Sequence, residues 1–245
     1  MEMKDELART KLPRGALSER MIAQQALRLL DSAGASGFTL PSLGRALGAD
    51  QTAVYRHFSG KDEIILAVAD LLLEEVLAGF APSECWRTTL ADLSRRMRDV
   101  YKLHPAAGSL SASRTTGREG EKKVVEVFLA AILDAGFKDR EAALYYRVAA
   151  DFSLFWAGGH ASYLSLDPSR QLNDETSWSR EYFNADPSIH PHTAAIRGHL
   201  VEVGFDEIFE AALTLMLDGI NARATKPCQC PISAKPPTDA RRART

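Results

Sequence analysis

Ile22, Ala26, Leu29 and Ala33 recur at helical spacing and form one apolar stripe, so residues 17–33 are predicted to be a helix. Ser18 is placed to cap its start and Gly34 to supply a left-handed stop. A second short helix is predicted over 39–47, with Thr39 as N-cap, Pro41 tolerated in the first turn, Leu40, Leu43 and Leu47 inward, and Gly48 ending it. Asp50 then caps a third helix over 51–58 that buries Val54 and Phe58. Ser59-Gly60-Lys61-Asp62 has the form of a capping box and opens a long fourth helix. Beyond Pro82 the spacing predicts helices over 85–103, 106–115, 121–135, 140–164, 192–203 and 206–222, punctuated by Pro105, Gly117, Gly120, Gly136 and Gly204. Strand-like alternation and fixed-period repeats are absent, so the fold class expected is all-α. The stretch 167–191, polar and carrying Trp178, Tyr182 and Phe183, is expected to be a long loop. Residues 1–16 read as a flexible arm, and 223–245 as a proline-rich, basic, disordered tail.

Composition narrows the class without revealing a partner. The 245 residues are 45% hydrophobic and 25% charged, the profile of a water-soluble globular chain. No apolar run approaches the ~18 residues a membrane span needs, and the charged N-terminus lacks a signal-peptide pattern, so a cytoplasmic location and no membrane partner are expected. The three cysteines suggest no disulfide framework. The net charge of -2 does not announce a nucleic-acid partner, so such a claim must rest on local charge placement.

Local placement supplies it. Two short helices joined by Leu47-Gly48-Ala49-Asp50 follow the helix-turn-helix plan, in which the second helix enters the DNA major groove. The first residues of that helix must be small or hydrogen-bonding so that the backbone can approach base edges, and Gln51, Thr52 and Ala53 meet this need. Tyr55, Arg56 and His57 follow, with Lys61 beyond, and no acidic residue occurs from Gln51 to Lys61 although Asp50 and Asp62 flank the stretch. A surface that faces phosphates requires that local absence, and the N-termini of the third and fourth helices add dipole and free N–H groups. Pattern alone leaves a second reading open: Tyr55 and Phe58 as ordinary core, and Arg56, His57 and Lys61 as an ordinary solvated face.

The segment GFTLPSLGRALGADQTAVYRHFSGK, residues 37–61, resembles the DNA-binding segment of the TetR family of transcriptional regulators. It matches the family's G-[FL]-T start, the second-helix pattern and the Y-x-H-F-x-x-K ending through Tyr55, His57, Phe58 and Lys61 without a gap. The resemblance implies a three-helix DNA-binding domain over 17–64, followed by a larger helical effector-binding and dimerisation domain over 65–222. It implies that Gln51, Thr52, Ala53 and Arg56 face bases, while Thr39, Tyr55, His57 and Lys61 hold phosphates of double-stranded DNA. Two positions depart from the family: Gly44 replaces the usual alanine, at a helix-propensity cost of about 1 kcal/mol, and Pro41 stands where a DNA-contacting polar residue is common. The family's mechanism also implies a homodimer whose heads sit about 34–36 Å apart to read a palindrome. Phe152, Gly159, Tyr163, Ile208, Ala212, Leu215 and Gly219 are the interface candidates on two strongly apolar helices, which otherwise serve as intramolecular core. A small-molecule effector is implied as well, and Trp86, His104, Arg114, Phe128, Asp151, Phe155, Trp156 and His160 lie on the helices that enclose it in the family. Asp151 and His160 read equally as ligand-specificity groups or as satisfied buried polar groups.

The expected function is therefore a DNA-binding transcriptional regulator, a repressor released by its effector. The alternative is a helical regulator controlled by a protein partner. An enzyme is not expected, since the chain has no Gly-rich phosphate loop, no H-E-x-x-H and no G-x-S-x-G. Neither a cofactor nor a metal site is expected: His190-Pro191-His192 reads as a turn, and Cys228-Gln229-Cys230 lacks a matching second pair.

Overall fold

Helix α1 (Glu19–Gly37) begins where the Ser18 hydroxyl accepts the Met21 N–H at 3.2 Å. Gly34 sits at φ +67 inside the span, so the expected stop is a kink followed by one further turn. In α2 (Leu40–Leu47) the Thr39 hydroxyl accepts the Ser42 N–H while the Ser42 hydroxyl accepts the Thr39 N–H, two otherwise orphan donors satisfied reciprocally. Gly48, left-handed at φ +62, ends it. Asp50 accepts the Ala53 N–H at 2.8 Å and starts α3 (Gln51–Tyr55), which gives way to a turn at Arg56 and His57. A computed structural model describes residues 17–230; the expected N-terminal arm over 1–16 and residues 231–245 of the expected tail lie outside the described residues.

The remaining helices are α4 (Lys61–Leu77), α5 (Trp86–Leu103), α6 (Pro105–Ser111), α7 (Glu119–Asp134), α8 (Asp139–Leu164), α9 (Pro168–Phe183), α10 (Pro191–Glu202) and α11 (Phe205–Asn221). No strand occurs among the described residues, and the fold is all-α.

Two local expectations need correction. The stretch read as a loop from 167 contains α9, started by Asp167, which accepts the Ser169 N–H at 2.8 Å, and by Pro168, whose fixed φ suits the first turn. No α9 residue is buried, so the apolar periodicity that reveals a core-facing helix is missing. Its aromatic residues instead pair along the helix, Trp178 and Tyr182 lying 4.1 Å apart between ring centroids. The capping box expected at α4 is also not formed: Gly60 is the N-cap, without a side-chain cap bond, and Glu63, not Asp62, accepts from the Ser59 N–H at 2.7 Å and the Ser59 hydroxyl at 2.9 Å.

The chain divides into two compact units, and α5, α7 and α8 contribute residues to both. Of the described residues, the first comprises 17–80, 96–126 and 157–165. In it α1 packs on α2, α4 and α6, burying Ile22, Leu30, Phe38, Leu43, Phe58, Ile64, Leu72 and Tyr101. The second comprises 81–95, 127–156 and 166–230, and buries Leu90, Leu93, Phe128, Ile132, Phe209, Leu213 and Leu217. Within it Arg95 makes a bidentate pair with Glu210, and the hydroxyls of Ser94 and Ser153 meet at 2.8 Å. Residues 225–228, expected in the disordered tail, are held by hydrogen bonds to Gly136, Ala135, Trp86 and Asn221. Cys85 and Cys228 are joined as a disulfide, a pairing that a sequence separation of 143 residues conceals.

Asp70 is a buried carboxylate of the first unit. It accepts the Gly120 N–H at 3.1 Å, the Glu121 N–H at 2.9 Å and the Thr116 hydroxyl at 3.2 Å, so α4 supplies the cap for the start of α7. A Cβ on Gly120 would stand 2.6 Å from the Asp70 carbonyl oxygen, so the approach of these two helices depends on that glycine. Asp70→Ala leaves buried donors unmatched and is expected to lower stability by about 2–3 kcal/mol, read from denaturant unfolding. A loss below about 0.5 kcal/mol would show that the cap contributes little.

Candidate nucleic-acid interface

The recognition edge is built from the turn outward. Gly44 lies buried under the α2–α3 turn, where a Cβ would stand 3.1 Å from the Ala49 carbonyl oxygen, and Ala49 N–H donates to the Gly44 carbonyl at 3.0 Å. A side chain at this position would press on the backbone of the turn, so the glycine that departs from the family pattern stands at a close approach. Val54 and Phe58 are buried at 1% and 2% exposure and fix the inner face of the turn, whereas Tyr55 is 50% exposed. Of the two readings left open for this pair, Phe58 is core and Tyr55 is surface. Gln51, Thr52 and Arg56 are exposed, and Ala53 and His57 are half-buried. Lys61, the first residue of α4, holds its ammonium 5.0 Å above the Phe38 ring. The Thr39 hydroxyl accepts the Ser42 N–H in the α2 cap, at an exposed position.

The acids that border this edge are all engaged. Asp50 caps α3. Asp62 forms two hydrogen bonds with Arg114, at 2.8 and 2.7 Å, and this pairing holds its carboxyl below the usual aspartate range. Glu63 accepts from Ser59 and faces Arg118, and its carboxyl is likewise lowered, chiefly by the Ser59 N–H and hydroxyl. Arg118 also pairs with Glu19 of α1 at 2.9 Å and lies 5.8 Å from the Phe58 ring centre. Among the described residues no carboxylate pairs with Arg56, His57 or Lys61, while Asp62 and Glu63 are matched by Arg114 and Arg118.

The ligand candidates divide between the two units. His104 sits between Asp31 (Nδ1 at 2.9 Å) and Glu75 (Nε2 at 3.2 Å), and Arg114 is bound to Asp62, so both tie the first unit together. His160 is buried in that unit. In the second unit the Trp86 indole N–H donates to the Lys226 carbonyl at 3.1 Å, Phe128 is fully buried against Tyr146, and Asp151 pairs with Arg147 one turn earlier. Trp156 stands edge-on to Phe205 and Phe209, while Phe155 is 63% exposed.

The interface candidates sort by face. On α11, Phe209, Leu213, Leu217 and Ile220 form the unit's own core, and Ile208 and Leu215 are exposed, with Ala212 and Gly219 half-buried beside them. On α8, Leu144, Val148 and Phe155 are exposed and Phe152 lies half-buried against Trp156 and Phe209. Gly159 is exposed, and a Cβ added there would meet nothing within 4 Å, whereas Gly158 packs on Ala112 of its own chain. Tyr163 is half-buried.

Sequence reasoning missed Arg118, Glu63 and Asp70. Their partners are local only for Glu63; for the other two they lie tens of residues away, and a lone charged residue carries no periodic signal. Replacing Arg114 with alanine should raise the Asp62 pKa toward the ordinary aspartate value, measured by carboxyl NMR titration. With the pKa lowered in the folded state, the pair stabilises above the ordinary aspartate range, and that contribution is lost as pH falls through the lowered value. An Asp62 titration unmoved by Arg114→Ala would contradict the pairing.

Comparison with known proteins agrees with this geometry. Residues 22–68 match the family described as "Bacterial regulatory proteins, tetR family", and residues 80–224 match "Tetracyclin repressor-like, C-terminal domain". The chain is 24% identical over 209 residues to the class A tetracycline repressor protein from transposon 1721 of Escherichia coli, covering 84% of this chain and 92% of that one. It is 25% identical over 219 residues to an HTH-type transcriptional repressor of Mycobacterium tuberculosis, covering 86% and 82%. The fold resembles that of ActR, a TetR family protein of Streptomyces coelicolor solved in complex with actinorhodin, with a TM-score of 0.75, 19% identity, and coverage of 86% of this chain and 99% of that one. The chain belongs to the TetR family of transcriptional regulators.

Proposed function

We propose that this regulator is a repressor that binds a palindromic operator as a homodimer in the cytoplasm and leaves it when a small-molecule effector binds. The observation that carries the reading is the recognition edge: Gln51 and Thr52 exposed at the start of α3, with Arg56, His57 and Lys61 around them and every flanking acid engaged. Gln51 has the paired donor and acceptor that match adenine, and the Thr52 and Ala53 methyls suit a thymine methyl. Thr39, Tyr55, His57 and Lys61 would hold phosphates, which fix register without reading sequence. We assign the DNA-binding domain to 17–64 and the effector and dimerisation domain to 65–222. Among the effector candidates Trp156, beside Phe205 and Phe209, offers the most aromatic surroundings. ActR, with its bound actinorhodin, supports an effector of small-molecule type. Release requires that the effector bind one conformation better than the other, since equal affinity for both shifts nothing.

Exposed apolar surface supports the dimer. Leu144, Val148 and Phe155 on α8 and Ile208 and Leu215 on α11 expose large side chains that the chain's own core leaves uncovered, with Leu215 at 73%. Such surface on a soluble protein marks an association site. Each protomer then supplies one head to a half-site.

Two experiments test these assignments. Lys61→Ala should weaken binding to all duplexes alike and flatten the log–log salt dependence by about 0.9 per lost phosphate contact, whereas Gln51→Ala should lose about 1–3 kcal/mol of discrimination at one base pair. Equal salt slopes for wild type and Lys61→Ala would remove the phosphate role. Phe155→Glu with Leu215→Glu should yield a monomer in sedimentation and lower operator affinity at least tenfold; a variant that remains dimeric would place the interface elsewhere.

A further inference from the structure

All three cysteines of the chain meet at one place in the second unit. Cys85 directly precedes α5, and Cys228 and Cys230 follow α11, yet the three sulfurs lie within 4.8 Å of one another. Each residue is half-buried, so the sulfurs are sheltered from bulk solvent without being sealed from it. A structural disulfide needs two cysteines, and the Cys85–Cys228 pair already provides one. Cys230 is a third sulfur beside that pair, and its backbone N–H donates to the Cys228 sulfur at 3.4 Å.

The segment that carries two of these residues is held independently of its sulfurs. The Lys226 N–H donates to the Ala135 carbonyl at 3.0 Å, and the Trp86 indole donates to the Lys226 carbonyl at 3.1 Å. The Thr225 hydroxyl donates to the Gly136 carbonyl at 2.9 Å, and the Cys228 N–H donates to Asn221 Oδ1 at 2.8 Å. Gly136, left-handed at φ +89, leaves room for Thr225 that any Cβ would fill. Four contacts not made by sulfur therefore hold this segment, and the Trp86 bond ties it to the start of α5 beside Cys85, which reduces the ordering needed when a ligand arrives.

We propose that Cys85, Cys228 and Cys230 in their reduced form bind one thiophilic metal ion, of the Cu(I) or Zn(II) type, through three thiolates. An all-sulfur donor set selects soft ions over Mg(II) or Ca(II). Metal–thiolate bonds of about 2.3 Å around a three-coordinate centre separate the sulfurs by about 4 Å, within the spacing seen here. The disulfide and the metal site are alternative states of the same atoms. An external dithiol reductant supplies the two electrons and two protons that open the Cys85–Cys228 bond, becoming a disulfide itself. Binding then forms three metal–sulfur bonds and releases three thiol protons.

The test uses the full chain, reduced with a dithiol, freed of reductant and kept anaerobic, with cadmium(II) as the probe. A thiolate-to-metal charge-transfer band should saturate at one equivalent per chain, and all three cysteines should alkylate at least tenfold more slowly. Cys85→Ser, Cys228→Ser and Cys230→Ser should each weaken binding at least 100-fold. Cys230→Ser is the variant that guards against misfolding, because it leaves the Cys85–Cys228 pair in place, and its circular dichroism should match wild type. Absence of a saturable band would overturn the proposal, as would wild-type affinity in Cys85→Ser, which would reduce the site to the local Cys228 and Cys230 pair.

Discussion

The start of α4 is the constraint on which the recognition edge depends. Arg114 grips Asp62, Arg118 spans Glu63 and Glu19 and covers Phe58, and Glu63 accepts from Ser59. Lys61 and the turn carrying Arg56 and His57 adjoin this point, which Arg118 ties to α1 through Glu19 while Val54 and Phe58 are buried beneath the turn. Exposed ion pairs contribute little stability one at a time. Here they act together with a buried phenylalanine, and their larger effect is electrostatic: they neutralise acids that would otherwise repel a phosphate backbone.

A chain of net charge -2 can present a cationic face only if its acids are placed elsewhere or engaged. Asp50, Asp62 and Glu63 follow the second course, each satisfying a helix start or an arginine. Asp70 then joins α4 to the N-terminus of α7, and His104 joins α1 to α4 through Asp31 and Glu75. The first unit is thus a helix-turn-helix extended by polar ties, several of them made by residues far outside the segment that resembles the family's DNA-binding motif.

Much of the fold was legible because its signals are local. Caps at Ser18, Thr39 and Asp50 and the left-handed Gly48 sit where sequence places them, since each is decided within four residues. Helix α9 was not legible, because a helix that buries nothing has no apolar stripe to betray it. Within the candidate site, Gln51, Thr52, Tyr55 and Arg56 share an exposed edge, as a short helix with Val54 and Phe58 inward requires. The roles of Arg114 and His104 were hidden, since both are decided by carboxylates 52 and 73 residues away. The meeting of Cys85 with Cys228 was hidden for the same reason, at a separation of 143 residues.

Selection of duplexes from a random pool by this chain tests the central claim most directly. Enrichment of a palindrome whose half-site centres lie about one helical turn, 10–10.5 base pairs, or a multiple of it apart is the expected result. Failure to enrich any sequence over the starting pool would contradict a role in reading DNA.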